Sequence, residues 1–211
     1  MAAVLLALLV GVALAGLWFA LTMLISSKTK SVLWDEAGIV LAALPGLAIV
    51  PFTGHPLLRV ASLGQGRAWL LLAATVVLTC LVTLAVPVRA KTGRELLLSG
   101  VDGLLMEVPM RWATLPCLWA LLSWREMTAA GPIAVVVTAA VWCVGIVVQA
   151  VVTRTLRPRS LVIELLSSCL FSLGVGAVVL QTECILFPMA GHFAERILGY
   201  FLRRRFGKTV E

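Results

Sequence analysis

The residues able to do chemistry in this chain gather in two short stretches. One reads Met106-Glu107-Val108-Pro109-Met110-Arg111 and the other Gly191-His192-Phe193-Ala194-Glu195-Arg196. Glu107 and Arg111 are four residues apart, so on a helix they share a face and form an ion pair that lowers the cost of burying either. His192 and Glu195, three apart, also share a face. A carboxylate beside an imidazole is the minimum equipment for general acid–base work. Glu107, His192 and Glu195 together would also be a donor set for zinc, iron or manganese. Plain pairing, of Glu195 with Arg196 or Arg111 and of His192 with Glu107 or a carbonyl, accounts for the same residues, so no metal or cofactor is called for.

Other reactive side chains carry less. His55, between Gly54 and Pro56, reads as an ordinary loop residue. Asp102, Glu164 and Glu183 fall near span boundaries, where water or headgroups reach them, and are assigned no chemistry. Cys80, Cys117, Cys143, Cys169 and Cys184 lie in or at the ends of apolar runs without zinc-ligand spacing, as small buried hydrophobes do.

The elements that must position these groups are very apolar. The 211 residues are 61% hydrophobic and 13% charged, with a mean hydropathy of +1.07, against about half apolar and about a quarter charged in a soluble domain. A disordered chain, a soluble nucleic-acid-binding domain and a secreted disulfide scaffold are excluded, and the bilayer is the expected solvent. Apolar runs near the ~20 residues a crossing helix needs occur at 3–25, 37–52, 68–88, 96–122, 132–152, 161–180 and 184–201. The expected fold is therefore all-α, a polytopic bundle of about seven spans forming a single integral membrane domain over 1–211. Pro109 should kink the fourth span and free carbonyls toward a polar cavity.

Charge gives the direction. With seven crossings Lys28, Lys30, Arg89, Lys91, Arg94, Arg154, Arg157, Arg159, Arg203, Arg204, Arg205 and Lys208 fall on one side. Arg59, Arg67 and Arg125 fall on the other. The positive-inside rule then puts the N-terminus outside and the C-terminus in the cytoplasm, and the Ala/Val/Leu/Arg-rich usage points to the cytoplasmic (inner) membrane of a bacterium. Trp34 and Tyr200 fall at inner boundaries, Trp69 and Trp124 at outer ones. The first run lacks a basic leader and is too long for a signal h-region, so it is expected to stay as a helix. Ala7, Gly11 and Ala15, and Ser168, Ser172 and Gly176, form small-residue stripes suited to close packing within the chain. The Arg203–Arg205 run with Lys208 reads as a topology signal rather than a lipid site. At about 1.5 Å per residue, Glu107 and His192 both sit near mid-membrane, and one polar cluster is expected.

In this setting Met106-Glu107-x-x-x-Arg111, Trp142-x-x-x-Ile146 and His192-x-x-x-Arg196 follow one another in an order that resembles a known family. The CPBP intramembrane endopeptidases, which include the CAAX-processing, bacteriocin-processing and Abi proteins, carry Glu-Glu-x-x-x-Arg, Phe/Trp-x-x-x-His and His-x-x-x-Asn motifs on successive helices. The likeness runs from about residue 90 to 202. It implies a helical membrane fold and a site built on Glu107, Arg111 and His192. In that family the first glutamate activates water with help from the second motif's histidine, and the last His and Asn serve the oxyanion. Here Met106, Ile146 and Arg196 stand at the positions of that glutamate, that histidine and that asparagine.

The resemblance with these departures implies a catalytically silent relative that works by contact, as a subunit, stabiliser or assembly factor of a membrane complex. Its partners are then the lipid bilayer and other membrane protein subunits, not nucleic acid. Two alternatives stand beside it. One is an active intramembrane endopeptidase using Glu107 and His192 on a membrane peptide. The other is a small carrier, or a lipid or pigment binder, whose polar cluster handles a ligand.

Overall fold

Unbroken apolar runs without internal proline become the longest helices. The computed structural model describes residues 1–28, 32–152 and 158–206. Helix α1 spans Ala2–Lys28, α2 Val32–Leu47, α3 Gly66–Thr83, α4 Gly93–Glu107, α5 Leu115–Trp124, α6 Ala130–Val152, α7 Pro158–Thr182 and α8 Leu186–Phe206. A π-helical segment, Val108–Thr114, joins α4 to α5, so the described residues form seven helical rods and no strand. Four helices are long and apolar enough to cross a membrane, at Ala2–Ile25, Gly66–Thr83, Ala130–Val152 and Ser160–Thr182; a shorter apolar helical stretch covers Ala37–Phe52.

Boundaries shift from the apolar runs for local reasons. α3 stops at Thr83, not 88, because Pro87 drives Val86 out of helical geometry, and the chain leaves through turns closed by Val86 N–H to Thr83 O. α4 begins at Gly93 because Thr92 and Glu95 form a capping box, each side chain accepting from the other's backbone N–H. α8 runs past 201 to Phe206, its last turn holding Arg203, Arg204 and Arg205 where the helix dipole favours cations. α2 ends just after Pro45 and gives way to short 3₁₀ turns at Val50–Phe52 and Val60–Gly64.

α4 packs on α8, α3 on α7 and α8, α6 on α7, and α1 on α2 and α6. One buried cluster joins Ala7 of α1 to Leu118 and Leu122 of α5 and Val137 and Val141 of α6. A second joins Leu72 and Val76 of α3 to Phe171, Val175 and Val178 of α7 and Phe187 of α8. Both small-residue stripes serve these contacts inside the chain. A Cβ on Gly11 would come within 2.8 Å of Val141, and Gly176 faces Val135. Outward, Leu5, Leu9, Leu17, Met23, Leu70, Leu78, Leu81, Val136, Val152 and Leu166 are all exposed, an apolar surface that water would not tolerate on a monomer but lipid would.

Two ends of the bundle are distinct. At one, the loop after α2 is fastened to the α7–α8 turn by Arg59 N–H to Glu183 O at 3.0 Å and Ile185 N–H to Leu57 O at 2.9 Å. At the other, the Tyr200 hydroxyl accepts from Lys91 N–H at 3.2 Å and Arg204 donates to it at 3.1 Å. Tyr200 is buried, with its hydroxyl held in these contacts. Of the residues used for the charge and aromatic sorting, Lys30, Arg154, Arg157 and Lys208 lie outside the described residues, as do the side chains of Lys28, Trp34 and Arg159.

Candidate functional site: a buried carboxylate cluster beside a cavity

The site grows from Pro109. Proline has no N–H to give the preceding turn, and its ring crowds that turn. The chain answers by widening into the π-helical segment, where Leu115 N–H reaches Met110 O and the Thr114 hydroxyl donates to Pro109 O at 2.8 Å. The carbonyls expected to open onto a polar cavity are thus partly taken up by the segment itself. Such widened turns recur at functional sites because they re-aim side chains within an otherwise continuous helix.

Glu107 is fully buried, and Arg111 and His192 are nearly so, at 2% and 5% exposure. Arg111 Nη1 donates to Glu107 Oε1 at 3.1 Å, and His192 Nδ1 lies 2.6 Å from the same oxygen. Arg111 Nη2 donates to Ser172 Oγ at 2.8 Å. The ring of Phe171 then closes the cluster, lying 5.9 Å from the Arg111 guanidinium carbon and 4.9 Å from the His192 ring. Glu107 Oε2 is buried with no hydrogen-bond partner among the described residues. A carboxylate can only accept, so Nδ1 carries the proton toward Glu107.

Glycine lets α8 come this close. A Cβ on Gly103 would stand 2.9 Å from both His192 Cδ2 and Arg196 Cγ, and one on Gly100 would stand 2.7 Å from Phe193. The structure therefore brings Glu107, Arg111 and His192 together. Glu195 does not join them: its Oε2 lies 3.8 Å from Arg196 Nε, while Glu107 Oε1 is already shared between Arg111 and His192. Among the described residues no three His, Cys, Asp or Glu side chains are grouped as a metal would require.

Beside the cluster lies a cavity of about 830 Å³, within the ~300–1,000 Å³ of ligand clefts. Met106, Ile146, His192 and Arg196 all line it, with Trp142 and Arg111. Its wall is mixed: Trp18, Phe19, Met23, Trp142 and Ile146 contribute apolar surface, and Thr79, Asp102, Glu164, Glu195, Arg196 and Arg203 polar and charged groups.

Sequence reasoning missed Thr79, and gave no role to Asp102 or Glu164, because only tertiary packing turns them toward a shared space. It also missed what holds the 53–65 loop. His55 stacks on Trp119 with centroids 3.8 Å apart and planes 10° from parallel, and Trp112 Nε1 donates to Pro56 O at 3.1 Å. Burial pushes the His55 imidazole below its ordinary range, with Glu183 pulling the other way. All five cysteines are free thiols. The chain matches no family model, no curated protein and no solved structure.

Proposed function

We propose that this chain is a seven-crossing integral protein of the bacterial cytoplasmic membrane, akin to the CPBP endopeptidases but silent by their mechanism. It acts by contact, as a subunit, stabiliser or assembly factor of a membrane complex. The observation that carries this reading is the convergence of Met106, Ile146, His192 and Arg196 on one cavity next to buried Glu107. Peptide hydrolysis needs a base within reach of water and preorganised donors for the oxyanion. Methionine and isoleucine supply neither, and Glu107 has Oε1 held by Arg111 and His192, which leaves only its fully buried Oε2. The alternation of seven crossings is supported by the meeting of the 53–65 loop with the α7–α8 turn at one end and of Lys91 with Tyr200 at the other; the direction rests on the basic residues.

Purification in gentle detergent followed by mass spectrometry of co-purifying proteins tests the reading. A stoichiometric partner retained by Glu107→Gln and His192→Ala is expected. Cleavage of a membrane peptide that either substitution abolishes, with the protein still accumulating, would favour the endopeptidase instead. A second reading, a binder of lipid-like ligands, is favoured by the size and the mixed apolar and charged lining of the cavity. It expects a co-purifying lipid that Ile146→Trp displaces.

A further inference from the structure

We infer that the cavity takes a zwitterionic glycerophospholipid, its ammonium toward Asp102 and Glu164 and its phosphate toward Arg196 and Arg203. The inference rests on the ligand-binding reading and names the ligand. Of the charges on the wall, Arg111 is already matched by Glu107 and Ser172. Arg196 has only the long contact to Glu195, a third carboxylate on the wall, and its Nε is buried without a hydrogen-bond partner among the described residues. Arg203 donates Nε to Gly199 O, which leaves its terminal nitrogens for a second acceptor. Asp102 and Glu164 make no side-chain hydrogen bond or ion pair among the described residues, yet both line the same space.

Thr79 adds an independent sign of a ligand. It is 3% exposed, lines the cavity and holds its hydroxyl buried with no partner among the described residues. A purely anionic head would face two unpaired carboxylates, and a purely cationic one would face two guanidinium groups. A head carrying one charge of each sign meets both sets, while Trp142 and Ile146 offer apolar surface to an acyl chain.

The test reconstitutes the full chain with equal phosphatidylethanolamine and phosphatidylglycerol and counts retained lipid by native mass spectrometry. Phosphatidylethanolamine should be retained over phosphatidylglycerol by about tenfold, the size expected of two screened ion pairs. Asp102→Asn with Glu164→Gln should bring that ratio near one, and Arg196→Gln should lower retention of both lipids. Glu164 is exposed, so Glu164→Gln alone reads the ammonium contact if the double variant fails to fold, and it should cut the ratio about threefold. Equal retention of the two lipids by the unmodified chain, or a ratio unmoved by these substitutions, overturns the assignment of the head while leaving ligand binding standing. Retention of no lipid at all overturns the ligand-binding reading itself.

Discussion

Burying Glu107 completely demands a countercharge and hydrogen-bond donors; Arg111 supplies the charge from the same rod, and His192 lies within hydrogen-bond distance from α8. Removing one member of such a set strands the other. Glu107→Ala should therefore cost about 3–5 kcal/mol, read as a lower melting temperature in detergent, and adding Arg111→Met should recover much of that loss. A double variant no more stable than the single one would refute this account of the cluster. His55 poses the opposite problem, since burial holds its folded pKa below the unfolded value near 6.5. Its neutral form favours the folded loop, so loop stability is fully present above about pH 6.5 and is lost as pH falls toward the depressed folded value. Fluorescence of Trp119 and proteolysis of the 53–65 loop should both report loosening over that acid range, and His55→Phe should remove it. The Glu107–Arg111 pair was legible from four-residue spacing alone, whereas Ser172 and the His55–Trp119 stack were not, because no periodicity links residues so far apart in the chain.

At the scale of elements, two positions set geometry against residue type. Glu126 adopts φ 56° at the end of α5, where Met127 N–H returns to Leu122 O and its own N–H to Ser123 O. This is a Schellman closure with glutamate at the position glycine prefers. Glu126→Gly should raise stability by about 1 kcal/mol, seen as a higher melting temperature. At Gly103 the sign reverses. Gly103→Ala would drive a methyl into His192 and Arg196 and should cost about 1–3 kcal/mol, with weaker binding of any cavity ligand. α1, α3, α6 and α7 could be read from apolar length. The π-helical segment could not: Pro109 announced a disturbance, but its form depends on Thr114 reaching back five residues.

For the whole molecule, the alternation of the two ends is the quantity to measure. In a cysteine-free background, Ala61→Cys and Ala90→Cys place thiols at the loop after α2 and at the connection before α4, both at exposed positions. An impermeant maleimide added to intact cells should label residue 61 at once and residue 90 only after the membrane is opened. The reverse order would invert the orientation drawn from the basic residues. Composition made the solvent legible, and the exposed leucines and valines of α1, α3 and α6 fit it.

The timing of synthesis gives the Glu107–Arg111 pair a further meaning. His192 follows Glu107 by 85 residues, which at about 5–20 residues per second is several seconds of growth on the ribosome. Throughout that interval the nascent α4 has no imidazole to lean on. Arg111, one turn away on the same rod, is the countercharge that travels with Glu107 from the start, so in the proposed seven-crossing arrangement this helix carries its own neutralising partner before the helix that completes the cluster has been made.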